Sequence, residues 1–256
     1  MTGYTDVETI LARTYDPTPT YLIDNILPLG LLIPLAGDAG VGKSFAMSFT
    51  AGLAIATGAP VFGERVPKPS KVLVFDQENS PPDYAQYLRW AWNGLGCPDM
   101  ALVKENFFHA PFILSKNWAV DAAAHAADVA PELIIFDTAT TAFSPKDEND
   151  NAEASRIINE LRGIQHAVSP RPTIIVLMHA KIYRDNGDYT IRGAKHWLGA
   201  TDATMYLKRS EGAPRSDGFT NTVLVSGKTR AFGLRHPIKL SPERTSNGLG
   251  LRLNAT

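Results

Sequence analysis

Cysteine is almost absent from this chain, with Cys97 the single thiol in 256 residues. That excludes an internal disulfide and a cysteine-based zinc site, and it fits a reducing compartment. An excess of one charge is lacking too: Lys plus Arg number 25 and Asp plus Glu 26, a formal net charge of −1. A chain so balanced does not work as a cationic blanket on nucleic acid, so any such contact has to come from a local patch. No run approaches the roughly 20 apolar residues of a membrane span. Residues 1–20 lack the basic and apolar regions of a secretion signal and carry Asp6, Glu8 and Asp16 instead. Internal repeats and low-complexity tracts are also missing. The expectation is a soluble, cytoplasmic protein with no membrane partner.

What is present is ordinary globular material, 44% hydrophobic and 20% charged, which excludes intrinsic disorder and supports one large buried core. Residues 1–20 end in Asp16-Pro-Thr-Pro19 and read as an N-terminal arm, leaving 21–256 as a single domain. Strands are expected at Leu32–Ala36, Lys71–Asp76, Leu133–Asp137, Thr173–Met178, Ala203–Leu207 and Thr222–Ser226. Helices are expected at Lys43–Thr57, Pro82–Gly94, Val120–Ala130 and Ala152–Gln165, the last with Ile157, Ile158, Leu161 and Ile164 at helical spacing. Near-continuous apolar strands alternating with helices predict an α/β fold with a mostly parallel sheet covered on both faces. The strand-rich last third predicts an antiparallel edge on that sheet. Residues 143–151 and 181–196 read as loops long enough to be functional.

Gly37-Asp38-Ala39-Gly40-Val41-Gly42-Lys43-Ser44 matches G-x-x-x-x-G-K-[ST] and lies between an expected strand and an expected helix. Its glycines let backbone N–H groups turn onto phosphate oxygens, and the helix beginning there adds its positive end. Lys43 suits the β- and γ-phosphates, the Ser44 hydroxyl suits Mg²⁺, and Phe45 continues the cradle into the helix. ATP and Mg²⁺ are therefore the expected ligands. Asp137 ends LIIFD where a carboxylate can complete the metal shell. Glu78, just beyond KVLVFD, is the first choice for the general base that activates water, and Asp76 is the second. His179 follows TIIVLM and can touch the γ-phosphate from the side; a histidine merely satisfied at a strand end is the alternative.

The order GDAGVGKS, VLVFDQE, LIIFDT, IIVLMH resembles the RecA-like ATPase core of hexameric replicative helicases, above all RepA-type plasmid helicases and related phage ATPases. The resemblance runs from about Tyr21 to Leu240. It includes the lead-in Tyr21–Gly30 and the Arg-Gly…Asp-Ala segment of Ile191–Ala203. Its most specific part is Ser226-Gly-Lys228-Thr-Arg230, followed by Gly233, which is similar to the Gly-Lys-x-Arg element of DnaB-type helicases. The resemblance implies a homo-oligomer, a hexameric ring, in which Lys228 and Arg230 reach the γ-phosphate bound by the neighbouring subunit. Such cations stabilise developing charge and make hydrolysis conditional on assembly. A basic hairpin facing solvent is the plain alternative.

The same likeness implies two single-stranded DNA-binding loops, after Asp137 and after His179. Ser144–Asn151 is acidic and unsuited to phosphate. Lys181, Arg184, Arg192 and Lys195 in the second loop can track a DNA backbone, while Tyr183, Tyr189 and His196 offer faces for bases. The balanced charge and the acidic first loop count against tight DNA binding. The resemblance also implies a bacterial cell, plasmid or phage origin, and a primase or replication initiator as further partners. A recombination or annealing ATPase that does not unwind DNA stays open, as does a P-loop ATPase or kinase outside DNA metabolism. Lys43→Ala is expected to abolish ATP turnover. Arg230→Ala is expected to lower it by about 10³-fold or more while a fluorescent ATP analogue still binds. Substantial hydrolysis by Arg230→Ala would remove the trans-acting arginine.

Overall fold

Near-continuous runs of Val, Ile, Leu and Phe need cover on both faces, and the fold supplies it. The computed structural model describes residues 6–12, 20–111, 117–145, 147, 150–182, 189–191, 195–210, 217–229 and 236–256. Helix α1 (Val7–Ala12) and a small hairpin of β1 (Tyr21–Ile23) and β2 (Leu27–Pro28) lead into β3 (Leu32–Gly37). A π-helical stretch, Phe45–Ala51, continues as α2 (Gly52–Thr57). Then come β4 (Val72–Asp76), α3 (Pro81–Gly94), α4 (Met100–Asn106) and β5 (Phe107–Pro111). Next are α5 (Trp118–Val129), β6 (Leu133–Asp137), α6 (Ala139–Phe143) and α7 (Asn151–Ala167). The chain goes on through β7 (Thr173–Ile182), β8 (Tyr189–Ile191), α8 (His196–Ala200) and β9 (Ala203–Arg209). It closes with β10 (Thr222–Thr229), β11 (Ile238–Arg244) and β12 (Leu251–Ala255).

One large sheet runs in the order β12-β11-β10-β9-β3-β7-β6-β4-β5, with β8 beside β7. From β9 through to β5 the strands are parallel, and β9 through β12 pair antiparallel. Successive side chains of a strand point to opposite faces, and the two core layers follow. Ile33, Leu35, Val72, Val74, Ile135 and Leu177 pack against Met47, Ala51 and Ile55. Their neighbours Leu32, Leu73, Phe75, Ile134, Phe136 and Val176 pack against Trp118, Ala122 and Ala126 of α5 and Ile157, Leu161 and Ile164 of α7. Alanines on α5 let it lie close to the sheet.

The expected α/β class, parallel sheet and antiparallel edge are all present, and each expected strand and helix lies within a few residues of its place. The 181–196 stretch differs. It is not loop throughout: β7 continues to Ile182 and pairs antiparallel with β8, Ala180 opposite Ile191. The pairing satisfies backbone groups that a loop would leave to water. Strands β5, β11 and β12 are not individually placed by the sequence, because half-buried strands at and beside a sheet's edges carry weaker apolar runs.

A single ion pair fastens three elements. The Arg162 guanidinium on α7 donates to both Asp202 oxygens at 2.7 and 2.8 Å, and the Leu32 N–H donates to Asp202 Oδ2 at 2.8 Å. The Asp of the Arg-Gly…Asp-Ala segment thus joins α7 to the start of β3 and β9. Burial alone pushes the Asp202 carboxyl up, but the hydrogen bonds from Arg162 and Leu32, with the charges of Arg162 and Arg171, hold it below its ordinary value. Its contribution is fully present above that ordinary value and is lost as pH falls through the lowered folded value. Asp202→Ala is expected to cost about 2–3 kcal/mol in urea unfolding near neutral pH, with most of the difference from wild type gone at strongly acidic pH. Equal stability of the two proteins at neutral pH would contradict the clamp.

Candidate functional site

The turn between β3 and the following helix is shaped by glycine. A Cβ on Gly37 would lie 2.5 Å from the Leu207 carbonyl oxygen and 2.9 Å from Val41 Cγ1. Gly40 and Gly42 have φ of +69° and +90°, the left-handed region that side chains avoid. Lys43 is buried, and its Nζ donates to the carbonyls of Gly37 and Asp38, both at 2.9 Å. Burial pushes the Lys43 ammonium down from its ordinary value, while the carboxylates of Asp137, Glu78 and Asp38 pull it back. The loop therefore holds a desolvated cation against its own carbonyl dipoles, and a phosphate would offer that cation a stronger partner.

Asp137 closes the site from beneath. It ends β6 with 1% exposure, and its two oxygens accept from Ser44 Oγ at 2.9 Å and Ser48 Oγ at 2.8 Å. Burial and the neighbouring Asp76 charge push its carboxyl up to about 7, although the two serine hydrogen bonds oppose the shift. Asp76 and Asp137 are register partners on adjacent strands. Among the described residues, no group of three or more His, Cys, Asp or Glu is placed to hold a metal alone. Ser44 and Asp137 fit Mg²⁺, which takes few protein ligands and completes its shell with water and phosphate oxygens. A carboxylate buried beside a second carboxylate and facing the Ser44 hydroxyl is the observation that supports this fit.

Asp76 and Glu78 have different surroundings. Asp76 is 3% exposed and accepts hydrogen bonds from the backbone N–H of Glu78 and Asn79 and from Asn79 Nδ2. Glu78 is exposed and faces the cleft over the phosphate loop. Of the two, Glu78 is the one that can meet a water molecule. His179 is half-buried inside β7, opposite Gly37 in register, and lines the same cleft; β7 runs on beyond it.

That cleft, of about 450 Å³, is lined by Ala39 through Ala46, by Glu78, Asn79, Thr138 and His179, and by a second group that sequence reasoning missed. Tyr87 and Trp90 of α3, Phe219 and Thr220 of the segment before β10, and Leu207, Thr222, Pro242, Leu251 and Leu253 of the C-terminal strands form a largely apolar end. The Arg244 guanidinium lies 5.4 Å from the Phe219 ring centre. An aromatic and aliphatic wall beside a phosphate cradle suits a base. Its only sequence signal was Tyr and Trp three apart on an expected helix. Tyr21 is in β1 and is not part of the lining.

The remaining expected residues are placed as follows. Lys228, on β10, is not in its own chain's cleft; its Nζ donates to the carbonyls of Leu198 and Gly199 at the end of α8, at 2.7 and 2.9 Å. A Cβ on Gly227 would strike Thr204 and Tyr206, which explains the glycine before that lysine. Arg230, Arg184 and Arg192 lie outside the described residues, and Lys181 is described only as backbone in β7. Lys195 is exposed at the start of α8. The His196 N–H donates to Asn151 Oδ1 at 3.2 Å, so the two expected loops meet. No helix among the described residues is long and apolar enough to cross a membrane.

Residues 3–182 match the family model described as AAA domain. No curated protein matches the chain. Among solved structures, a KaiC-like protein of the hyperthermophilic archaeon Pyrococcus horikoshii OT3 is similar, with 15% identity and a TM-score of 0.53 over 91% of this chain and 93% of that one. The likeness shows the RecA-like fold. Asp137→Asn is expected to stabilise the ligand-free protein at pH 8 by about 1–3 kcal/mol, because a costly buried charge is removed, and to end Mg²⁺-dependent ATP hydrolysis. A less stable Asp137→Asn at pH 8 would contradict that electrostatic account.

Proposed function

The chain belongs to the AAA domain family, and from that premise we propose that it is an ATP-hydrolysing oligomeric motor on single-stranded DNA, a replicative helicase of RepA type. The observation that carries the reading is the convergence of Lys43, Ser44, Glu78 and His179 on one cleft at the carboxyl edge of a RecA-like sheet, with Asp137 buried behind Ser44 and hydrogen-bonded to it. Ligands of such sheets collect at that edge.

In this reading the triphosphate lies in the 37–44 loop, and backbone N–H groups with Lys43 balance its β- and γ-oxygens. Mg²⁺, when bound by Ser44 and the water shell of Asp137, would neutralise charge between the β- and γ-phosphates. Glu78 orients and deprotonates the attacking water. His179 contacts the γ-phosphate from its place opposite Gly37. The base occupies the apolar end between α3 and the C-terminal strands. Lys228 and Arg230 enter the neighbouring subunit's cleft, which requires Lys228 to exchange the α8 carbonyls for phosphate. Hydrolysis then moves Lys181, Arg184, Arg192 and Lys195 along the strand.

A second reading is an ATPase of the same fold that does not act on DNA. The observation favouring it is the exposed carboxylates of Asp147 and Asp150, which share a small pocket with Trp197 of α8, close to the segment that would have to hold DNA phosphates. Steady-state ATP hydrolysis across protein concentrations, with and without single-stranded DNA, separates the two. A steep rise with protein concentration together with stimulation by DNA is expected of shared sites in a DNA-driven ring. Turnover linear in protein and indifferent to DNA would reject the helicase reading and leave the nucleotide site standing.

A further inference from the structure

Asp76 is a buried carboxylate to which the proposed hydrolysis gives no task. It ends β4, a strand whose five residues are all buried, fixed in register beside Asp137. Its Oδ1 accepts from the Glu78 N–H at 2.8 Å and the Asn79 N–H at 3.1 Å, and its Oδ2 accepts from Asn79 Nδ2 at 2.8 Å. Three hydrogen bonds thus hold a three-residue turn to one carboxylate on a rigid strand. Asn79 lines the cleft beside Glu78, so the turn so held is the one that carries the exposed carboxylate toward the phosphates.

We propose that Asp76 and Asn79 form a clamp that fixes Glu78 over the nucleotide cleft, making Asp76 a positioning residue for hydrolysis. The proposal rests on the reading of Glu78 as the group that activates water. A loop glutamate without such a clamp would sample many positions, and a misplacement of about 1 Å can cost a hundredfold in rate. The clamp gives a mobile residue type the precision of the strand next to it. A charge delivered to the metal side of the cleft is the competing role for Asp76, and the two roles are separable because the clamp can be rebuilt with the charge moved.

The test measures kcat together with the dissociation constant of a fluorescent ATP analogue for three variants. Asp76→Ala removes the acceptor of all three hydrogen bonds and is expected to lower kcat by about 10–100-fold, as for groups that orient reacting side chains, with nucleotide affinity unchanged. Asn79→Asp opposes two carboxylates and is expected to do the same. The double exchange of Asp76→Asn with Asn79→Asp restores an acceptor facing a donor and is expected to bring kcat back to within a few-fold of wild type. Wild-type kcat in Asp76→Ala, or a double exchange no better than Asn79→Asp alone, would overturn the clamp. Should Asp76→Ala fail to fold, Asn79→Ala carries the test, with reduced kcat expected and wild-type kcat overturning the proposal. Glu78→Gln tells the two claims apart. Full turnover by Glu78→Gln sinks the base assignment itself, whereas an inactive Glu78→Gln beside a fully active Asp76→Ala sinks only the clamp.

Discussion

The hydrogen bonds from Ser44 and Ser48 to Asp137 are the contact on which the rest of this site depends. They tie the first turns after the phosphate loop to the end of a central strand, so the loop's N–H groups, Lys43 and the metal position all take their bearings from β6. The tie is not built for stability. A carboxylate with 1% exposure beside a second buried carboxylate is expensive, and two neutral hydroxyls compensate it only in part, which is why its carboxyl is pushed up to about 7. Such a group gains most when a cation arrives. The π-helical turns of Phe45–Ala51 occur within this same contact, and Ser48 belongs to them.

Strand order then does what no single motif can. Placing β3 between β7 and β9 brings Gly37 level with His179 on one side and Leu207 on the other, and placing β4 beside β6 brings Asp76 level with Asp137. Because all these strands are parallel, their carboxyl ends share one edge, and the 37–44 loop, Asp137, Glu78 and His179 arrive there together. The antiparallel continuation through β12 folds the edge round, so that Leu251 and Leu253 face Tyr87 and Trp90 across the apolar end of the cleft. Structural and chemical acids also separate by location. Asp202 spends its charge on Arg162 and the Leu32 N–H, and Asp76 on the turn that follows it, which leaves Glu78 with water access.

The phosphate loop and the parallel α/β class were legible in the residues because each rests on local rules. Glycines at left-handed positions, a lysine at the loop's end and apolar runs without alternation mean the same thing wherever they occur. LIIFD and TIIVLM announced buried strands by composition alone. The hairpin of β7 with β8 was not legible, since its pairing depends on a partner segment rather than on the run itself, and neither were the half-exposed strands β5, β11 and β12 at and beside the sheet's edges. Asp76 read as the second choice for the base, and neither its burial nor its hydrogen bonds to Glu78 and Asn79 were legible in the run that carries it.

The sequence by itself determined the phosphate cradle, the strands that bear Asp137 and His179, and the fold class, because spacing along the chain encodes local backbone geometry. Only the tertiary structure decided which acid meets water, that Lys228 rests on the carbonyls of α8, and that Tyr87, Trp90, Phe219, Pro242 and Leu253 share one wall. Those facts depend on which strands become neighbours and which faces they turn inward. Proximity between residues more than a hundred positions apart is fixed by sheet order and burial, and no local pattern carries it.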